Sequence, residues 1–147
     1  MPAGDLPTTV VVDASVAVRW VVPERGSDAA AALLEEPRTW LAPRLLMTEV
    51  ASALRRKVAG HELTAPVAMG ALAAIVDAVA DGVIRLADDE ALAGGALSLA
   101  LALDRKLPDC MYLTLAEREG AALATADKAL ATMARRRGVA VFVVPSV

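Results

Sequence analysis

Residues 8–22, Thr-Thr-Val-Val-Val-Asp-Ala-Ser-Val-Ala-Val-Arg-Trp-Val-Val, contain the pattern that decides the fold. The first five residues of this stretch are β-branched and predict a buried strand over 8–13 that ends at the carboxylate of Asp13. The residues that follow predict a helix over 15–22, because Pro23 cannot continue it. The stretch is therefore a strand that leads into a helix past a carboxylate.

The same alternation of strand and helix continues through the rest of the sequence. Further strands are predicted over 39–41, 83–86, 121–125 and 139–144, and further helices over 28–35, 43–59, 64–80, 109–118 and 127–137, with another helix beginning at Asp88. This alternation predicts an α/β fold of three layers, with a mainly parallel central sheet of about five short strands and helices on both faces. At 147 residues the chain fits a single domain over 1–147, with residues 1–7 as an N-terminal tail.

The composition excludes several classes of protein. Apolar stretches over 65–76 and 91–103 are 12 and 13 residues long, short of the ~20 that cross a membrane, so we expect buried helices there and no membrane association. The N-terminal residues have no basic segment followed by an apolar run, which predicts a cytoplasmic protein without a secretory signal. Cys110 and His61 are the single residues of their kinds, which excludes an internal disulfide and a zinc site rich in Cys or His.

The charge balance limits how nucleic acid could bind. A net charge of −3 and a pI near 5.1 argue against binding through global positive charge, but they allow local basic patches. The basic residues that could form such patches are Arg19, Arg55, Arg56, Lys57, Arg105, Lys106 and residues 135–137. Arg105 and Lys106 are the favoured candidates for an RNA phosphate contact, because they shortly precede Asp109.

Four acidic residues are the candidate functional residues. Asp13 ends the first strand and Asp127 lies just past the fourth, so their carboxylates converge if those strands are neighbours where the strand order reverses. Glu49 borders the apolar stripe of its helix, three residues after Leu46, and is driven partly inward. Asp109 lies on the core side of the start of its helix. All four acids are thus predicted at the same end of one sheet.

Each acid also has a purely structural explanation. Asp13, Asp109 and Asp127 could be ordinary helix N-caps. Glu49 could pair with Arg56. Their common location favours a shared site instead, because burying unpaired carboxylates is costly and a cation relieves that cost. Carboxylates without His or Cys favour Mg²⁺ or Mn²⁺ over Zn²⁺, and the corresponding chemistry is hydrolysis of phosphodiesters.

Four motifs, in order, give the sequence a resemblance to a known family. They are Val-Val-Asp13-Ala-Ser15, Thr48-Glu49-Val-Ala-Ser-Ala-Leu, Pro-Asp109-Cys-Met-Tyr112-Leu-Thr-Leu-Ala and Ala-Thr125-Ala-Asp127. Their order and spacing resemble the acidic motifs of the PIN domain, and most closely those of the VapC-type toxins of bacterial toxin–antitoxin pairs. Two positions depart from the pattern: Cys110-Met111 replaces smaller residues, and Lys128 stands where some relatives carry another acid.

The resemblance implies a function and a role for each motif residue. It implies a metal-dependent endoribonuclease, the toxin of a toxin–antitoxin pair, that uses Mg²⁺ or Mn²⁺. It also implies a homodimer and a cognate VapB-like antitoxin that occludes the active site. The metal-binding and catalytic residues would be Asp13, Glu49, Asp109 and Asp127. The supporting hydroxyls would come from Ser15 and Thr125.

Three other classes of protein share parts of this pattern. A phosphoacceptor receiver-like domain would need a phosphorylatable Asp at the end of its third strand, where this sequence has Leu86-Ala87. A haloacid-dehalogenase-type phosphatase would need Asp-x-Asp after its first strand, where this sequence has Asp13-Ala-Ser15. A catalytically inactive PIN-type binding module is the third alternative, although no acid of the set is missing.

Overall fold

The structure is a computed structural model that describes residues 7–146. These residues form five strands and seven helices. The strands are β1 (Thr9–Val12), β2 (Thr39–Pro43), β3 (Ile84–Ala87), β4 (Ala122–Thr125) and β5 (Val141–Val143). The helices are α1 (Ala14–Val21), α2 (Ser27–Ala32), α3 (Leu45–Ala59), α4 (Ala65–Ala80), α5 (Asp89–Leu103), α6 (Leu107–Glu119) and α7 (Lys128–Arg136).

The five strands form one sheet in the order β3-β2-β1-β4-β5, and every neighbouring pair is parallel. β1 lies in the centre, where Val10 pairs with Trp40 on one side and with Ala122 on the other. Helices cover both faces of the sheet, so the central strand has no polar face, and Val10, Val11 and Val12 are fully buried. The predicted three-layer α/β fold with a mainly parallel sheet is confirmed.

The strand order reverses between β1 and β4, which places the carboxyl ends of these two strands side by side. The expectation that β1 and β4 are neighbours is thereby confirmed. A receiver-like domain would have the order 2-1-3-4-5, in which the first strand lies between the second and the third. Because the observed order is 3-2-1-4-5, the receiver-like alternative is wrong.

Predicted boundaries differ from the structure by a few residues, and one difference moves a residue into another element. The helix predicted over 43–59 begins at Leu45, because Pro43 is the last residue of β2 and pairs with Ala87 of β3. Proline has no amide hydrogen to donate to a neighbouring strand, so it is tolerated at position 43, where the pairing of β2 with β3 ends. The N-terminal tail predicted over 1–7 lies outside the described residues, apart from Pro7.

The apolar helices α4 and α5 are only partly buried. Each buries one stripe at a spacing of three or four residues, such as Ala68, Ala71 and Ile75 on α4. Their outer faces expose large apolar side chains, including Met69 at 68% and Leu101 at 76%. The sequence predicted that these two helices are buried, and for their outer faces this prediction is wrong in the single chain. Among residues 7–146, no helix is long and apolar enough to cross a membrane.

Candidate active site

Asp13 lies at the junction between β1 and α1, where the chain leaves the centre of the sheet. Its amide donates a hydrogen bond to the carbonyl of Ala124 at 3.1 Å, which continues the pairing with β4. Its carboxylate oxygen Oδ1 accepts hydrogen bonds from the amides of Ser15 at 2.8 Å and Val16 at 3.4 Å. Asp13 is therefore the N-cap of α1, as its structural explanation proposes.

Both hydroxyls that were predicted to support the site contact Asp13. Ser15 Oγ donates to Oδ1, and Thr125 Oγ1 donates to Oδ2 at 2.5 Å. Each hydroxyl also accepts a hydrogen bond from a backbone amide, Ser15 from Ala126 at 2.9 Å and Thr125 from Asp127 at 3.0 Å. These bonds hold the Asp13 carboxylate in one orientation and join the loop after β1 to the loop after β4.

Burial dominates the electrostatics of Asp13, whose exposed fraction is 6%. Burial raises the pKa of this carboxyl to about 6, against the opposing effect of the hydrogen bonds from Ser15 and Thr125. A surface N-cap gives the same backbone hydrogen bonds to the helix without this cost. Capping therefore does not explain why the carboxylate is buried.

Glu49 on α3 and Asp109 in the first turn of α6 are both half-buried. Burial raises the pKa of both carboxyls, and repulsion between the acids adds to the rise. The charge of Asp109 raises the pKa of Glu49, and the charge of Asp127 raises the pKa of Asp109. The acids are thus close enough to repel one another.

Asp109 also forms an ion pair with a basic residue one helical turn earlier. Nη2 of Arg105 lies 2.9 Å from Oδ2 of Asp109. The positive charges of Arg105 and Lys106 oppose the rise in the pKa of Asp109. Arg105, a candidate for contact with RNA, is therefore engaged with a candidate metal ligand. Lys106 is exposed and forms no ion pair within the described part of the chain.

Asp127 follows β4 and caps α7. Its Oδ1 accepts hydrogen bonds from the amides of Ala129 at 2.8 Å and Leu130 at 3.1 Å. The residue is exposed, and its second carboxylate oxygen accepts no hydrogen bond from residues 7–146. The N-cap explanation holds for Asp127, but it is wrong for Asp109, which lies inside α6 rather than at its cap.

Tyr112 on α6 brings a buried hydroxyl close to two of the acids. Burial and the negative charge of Glu49, followed by that of Asp13, raise the pKa of this phenol. The hydroxyl in turn lowers the pKa of Glu49, yet it makes no hydrogen bond of regular geometry with the residues described. The motif contained Tyr112, but no pattern in the sequence predicted that its hydroxyl faces the acids.

The four candidate acids line one cavity of about 690 Å³ at the carboxyl ends of β1 and β4. The lining contains six acidic side chains and three basic ones. In the same lining, Nζ of Lys57 lies 2.8 Å from Glu24 and 3.4 Å from Glu62, which neutralises much of their charge. Arg56 acts on Glu49 only through space, since no ion pair joins them. Of the four candidate acids, Asp109 is paired with Arg105, so the carboxylates of the cavity without an ion pair among the described residues are those of Asp13, Glu49 and Asp127.

Sequence reasoning missed the ion pairs that Lys57 forms with Glu24 and Glu62 in this cavity. Glu24 lies after α1 and Lys57 lies near the end of α3, so no local spacing relates the two residues. Arg56, by contrast, was considered from the sequence as the ion-pair partner of Glu49, and that pairing is wrong, because no ion pair joins the two residues within the described part of the chain.

The chemistry of these residues fits a divalent cation. Carboxylate oxygens are the ligands that Mg²⁺ prefers, and a cation would offset the repulsion that raises the pKa values of Glu49 and Asp109. Within residues 7–146, no three acids lie close enough to hold one ion together. Mg²⁺ does not require three protein ligands, because it usually keeps several waters and binds one or two carboxylates directly.

The parallel sheet and the acid-lined cavity at its point of reversal define an α/β protein with an acidic cavity at the carboxyl ends of its strands. The PIN domain family matches residues 10–136, which is most of the chain. The chain belongs to the PIN domain family. No curated protein matches its sequence.

Solved structures share this fold at low sequence identity. Mycobacterium tuberculosis VapC20, a Sarcin-Ricin loop cleaving toxin, is 17% identical with a TM-score of 0.66, over 84% of this chain and 94% of that chain. A toxin–antitoxin complex from Klebsiella pneumoniae is 16% identical with a TM-score of 0.57, over 80% and 86% of the two chains. A domain of a functionally unknown protein from Methanocaldococcus jannaschii is 15% identical with a TM-score of 0.52, over 95% and 92%.

Proposed function

We propose that this protein is a metal-dependent endoribonuclease and the toxin of a toxin–antitoxin pair. The observation that carries the proposal is that the four acids of the PIN motifs line one cavity where the strand order reverses. Two structural relatives support the toxin assignment, because one is a Sarcin-Ricin loop cleaving toxin and the other is a toxin–antitoxin complex. The proposed reaction is hydrolysis of RNA phosphodiester bonds.

The proposed cofactor is Mg²⁺ or Mn²⁺. The proposed metal-binding and catalytic residues are Asp13, Glu49, Asp109 and Asp127. A bound cation would supply an activated water and stabilise negative charge on the leaving oxygen. Ser15 and Thr125 prepare this site by holding both oxygens of Asp13 in place. The hydroxyl of Tyr112 favours the charged form of Glu49, which is the form that binds a cation.

RNA contact is proposed for the basic residues before α6. The net charge of −3 makes non-specific attraction of RNA weak, so contacts must be local. Lys106 is exposed beside Asp109 and is free to reach a phosphate next to the scissile one. Arg105 is available only when it leaves its ion pair with Asp109.

A homodimer and a VapB-like antitoxin are the proposed protein partners. The outer faces of α4 and α5 expose Met69 and Leu101, and such large apolar surface is usually covered in an assembly. A second, apolar cavity of about 520 Å³ lies beside Glu49 and is lined by side chains that include Leu107 and Met111. An antitoxin segment that filled it would reach the acids. The proposed location is the cytoplasm.

Cleavage of a purified RNA mixture by the protein tests the proposed function. We expect cleavage with Mg²⁺ or Mn²⁺, loss of cleavage in EDTA, and recovery when the metal is restored. Asp109→Asn, purified in the same way, controls for a contaminating nuclease and should be inactive. Cleavage that persists in EDTA would contradict the metal mechanism. No cleavage under any metal would favour the inactive PIN-type binding module.

A further inference from the structure

Arg105 stands between two surfaces of opposite charge. On one side it pairs with Asp109, which lines the acidic cavity. On the other side it lines a cleft of about 390 Å³ between the end of α5 and α7, here called the basic cleft. Three arginines line the basic cleft, Arg105, Arg136 and Arg137, and its lining contains no acidic residue. Arg105 therefore lines the basic cleft itself and reaches the acidic cavity only through its ion pair with Asp109.

The basic cleft has unused positive charge. Arg137 is neutralised by Glu117, whose two carboxylate oxygens lie 2.5 and 3.1 Å from its guanidinium. Arg136 is exposed and forms no ion pair in the part of the chain that the structure describes. Thr132 adds a hydroxyl to the lining. The other lining residues, Leu103, Ala129 and Met133, are apolar, so a nucleic acid phosphate would be recognised here by the arginines.

The present pairing of Arg105 is incomplete. Nη2 donates to Asp109, but Nε is buried and has no hydrogen-bond partner among residues 7–146. A buried donor without an acceptor is unfavourable. A phosphate can accept from two nitrogens of one guanidinium at once, so it would satisfy this side chain better than Asp109 does.

We propose that Arg105 exchanges partners when RNA binds, leaving Asp109 for a phosphate in the basic cleft and so freeing Asp109 to bind the divalent cation. This inference rests on the proposed function and adds its order of assembly. Without RNA, the guanidinium supplies the positive charge that Asp109 requires. With RNA, the phosphate takes the guanidinium and the cation takes its place.

The exchange makes RNA and metal binding cooperative. A cation that binds the protein alone must displace Arg105 from Asp109, and this competition weakens its binding. RNA removes the competition, so RNA raises the affinity for the metal. By thermodynamic linkage the metal raises the affinity for RNA by the same factor. The chain would therefore hold its metal firmly only when substrate is present.

The test measures the affinity of the whole purified chain for Mn²⁺, through the electron paramagnetic resonance signal of the free ion. Arg105→Gln should bind Mn²⁺ roughly two- to fivefold more tightly than the wild type without RNA, the range expected for loss of one partly exposed ion pair. A short phosphorothioate RNA should tighten Mn²⁺ binding to the wild type by a similar factor. It should have little effect on Arg105→Gln.

Two controls separate the exchange from a general effect of charge. Lys106→Gln removes the same charge beside Asp109 without breaking an ion pair, so its Mn²⁺ affinity should rise clearly less than that of Arg105→Gln. A methylphosphonate oligomer of the same sequence has no backbone charge, and it should leave the Mn²⁺ affinity of the wild type unchanged. Gel analysis checks that the phosphorothioate RNA stays intact.

The outcomes distinguish this inference from the proposed function. Equal Mn²⁺ affinities of Arg105→Gln and Lys106→Gln, or no effect of RNA on the wild type, would overturn the exchange even if the protein cleaves RNA. A wild type that binds no Mn²⁺ and cleaves no RNA would overturn both. Mn²⁺ binding that tightens clearly more in Arg105→Gln than in Lys106→Gln, together with loss of the RNA effect in Arg105→Gln, supports the exchange.

Discussion

Replacing Asp13 by Asn should stabilise the fold at neutral pH, although it removes a residue that we propose to be essential for activity. The folded chain holds the Asp13 proton more tightly than the unfolded chain, because burial raises the pKa from 3.8 to about 6. The contribution of this group to stability is therefore complete below pH 3.8 and is lost as the pH rises through 6. Asn has no proton to lose and avoids this loss.

The size of the effect follows from the shift in the pKa of Asp13. A rise of about two pKa units corresponds to about 3 kcal/mol, at 1.36 kcal/mol per unit. For a chain of this length, each kcal/mol shifts Tm by about 2–4 °C, so the expected gain is roughly 6–12 °C. Asn can still cap α1 through its carbonyl oxygen. The amide group would face Thr125, whose hydroxyl can rotate to accept.

The assay is thermal unfolding of wild type and variant at pH 4 and pH 8, in EDTA so that no bound cation stabilises the charged form. The Tm difference, variant minus wild type, should be larger at pH 8 by roughly the amount above. Asp127→Asn is the matched control, because Asp127 also caps a helix but is exposed. Its Tm difference should be small at both pH values. A Tm difference for Asp13→Asn that does not grow between pH 4 and pH 8 would refute the reasoning.

Three further predictions follow from the site and the surface. Tyr112→Phe should leave Tm nearly unchanged, because the lost hydroxyl makes no regular hydrogen bond within the described residues. It should weaken Mn²⁺ binding, because the pKa of Glu49 rises without that hydroxyl. Unchanged Mn²⁺ affinity would contradict this role. Zn²⁺ should restore RNA cleavage far less well than Mn²⁺ after EDTA treatment, because the site has only oxygen ligands; equal rates would argue against that site. Light scattering should give a homodimer. Leu101→Glu should weaken the dimer, because it places a charge on the apolar surface at a side chain that is 76% exposed in the single chain. A wild-type monomer at high micromolar concentration would count against the dimer.

The position of the cavity could be predicted from the sequence because backbone topology decides it. Asp13 and Asp127 follow strands that read clearly as buried, and the ends of neighbouring parallel strands meet at one edge of a sheet. The inward lean of Glu49 followed from helix periodicity alone. These inferences needed no side-chain conformation.

The ion pairs and the exposed surfaces could not be predicted in the same way. The pairing of Arg105 with Asp109 is one choice among several rotamers, and Lys57 and Glu24 meet only through tertiary structure. The apolar stretches of α4 and α5 were expected to be buried because their composition is apolar, and composition shows only how apolar a helix is. It does not say whether a neighbour within the same chain covers both of its faces.

The central claim is that four acids form one metal-dependent site. The rate of RNA cleavage by variants that each lack one carboxylate tests this claim most directly. The variants are Asp13→Asn, Glu49→Gln, Asp109→Asn and Asp127→Asn. Asp77→Asn, at an exposed acid of α4 outside the cavity, is the matched control. We predict that each site variant folds and that Asp13→Asn and Asp109→Asn lose roughly a thousandfold or more in rate, while Asp77→Asn cleaves like the wild type. Cleavage at the wild-type rate by Asp13→Asn or Asp109→Asn would contradict the account.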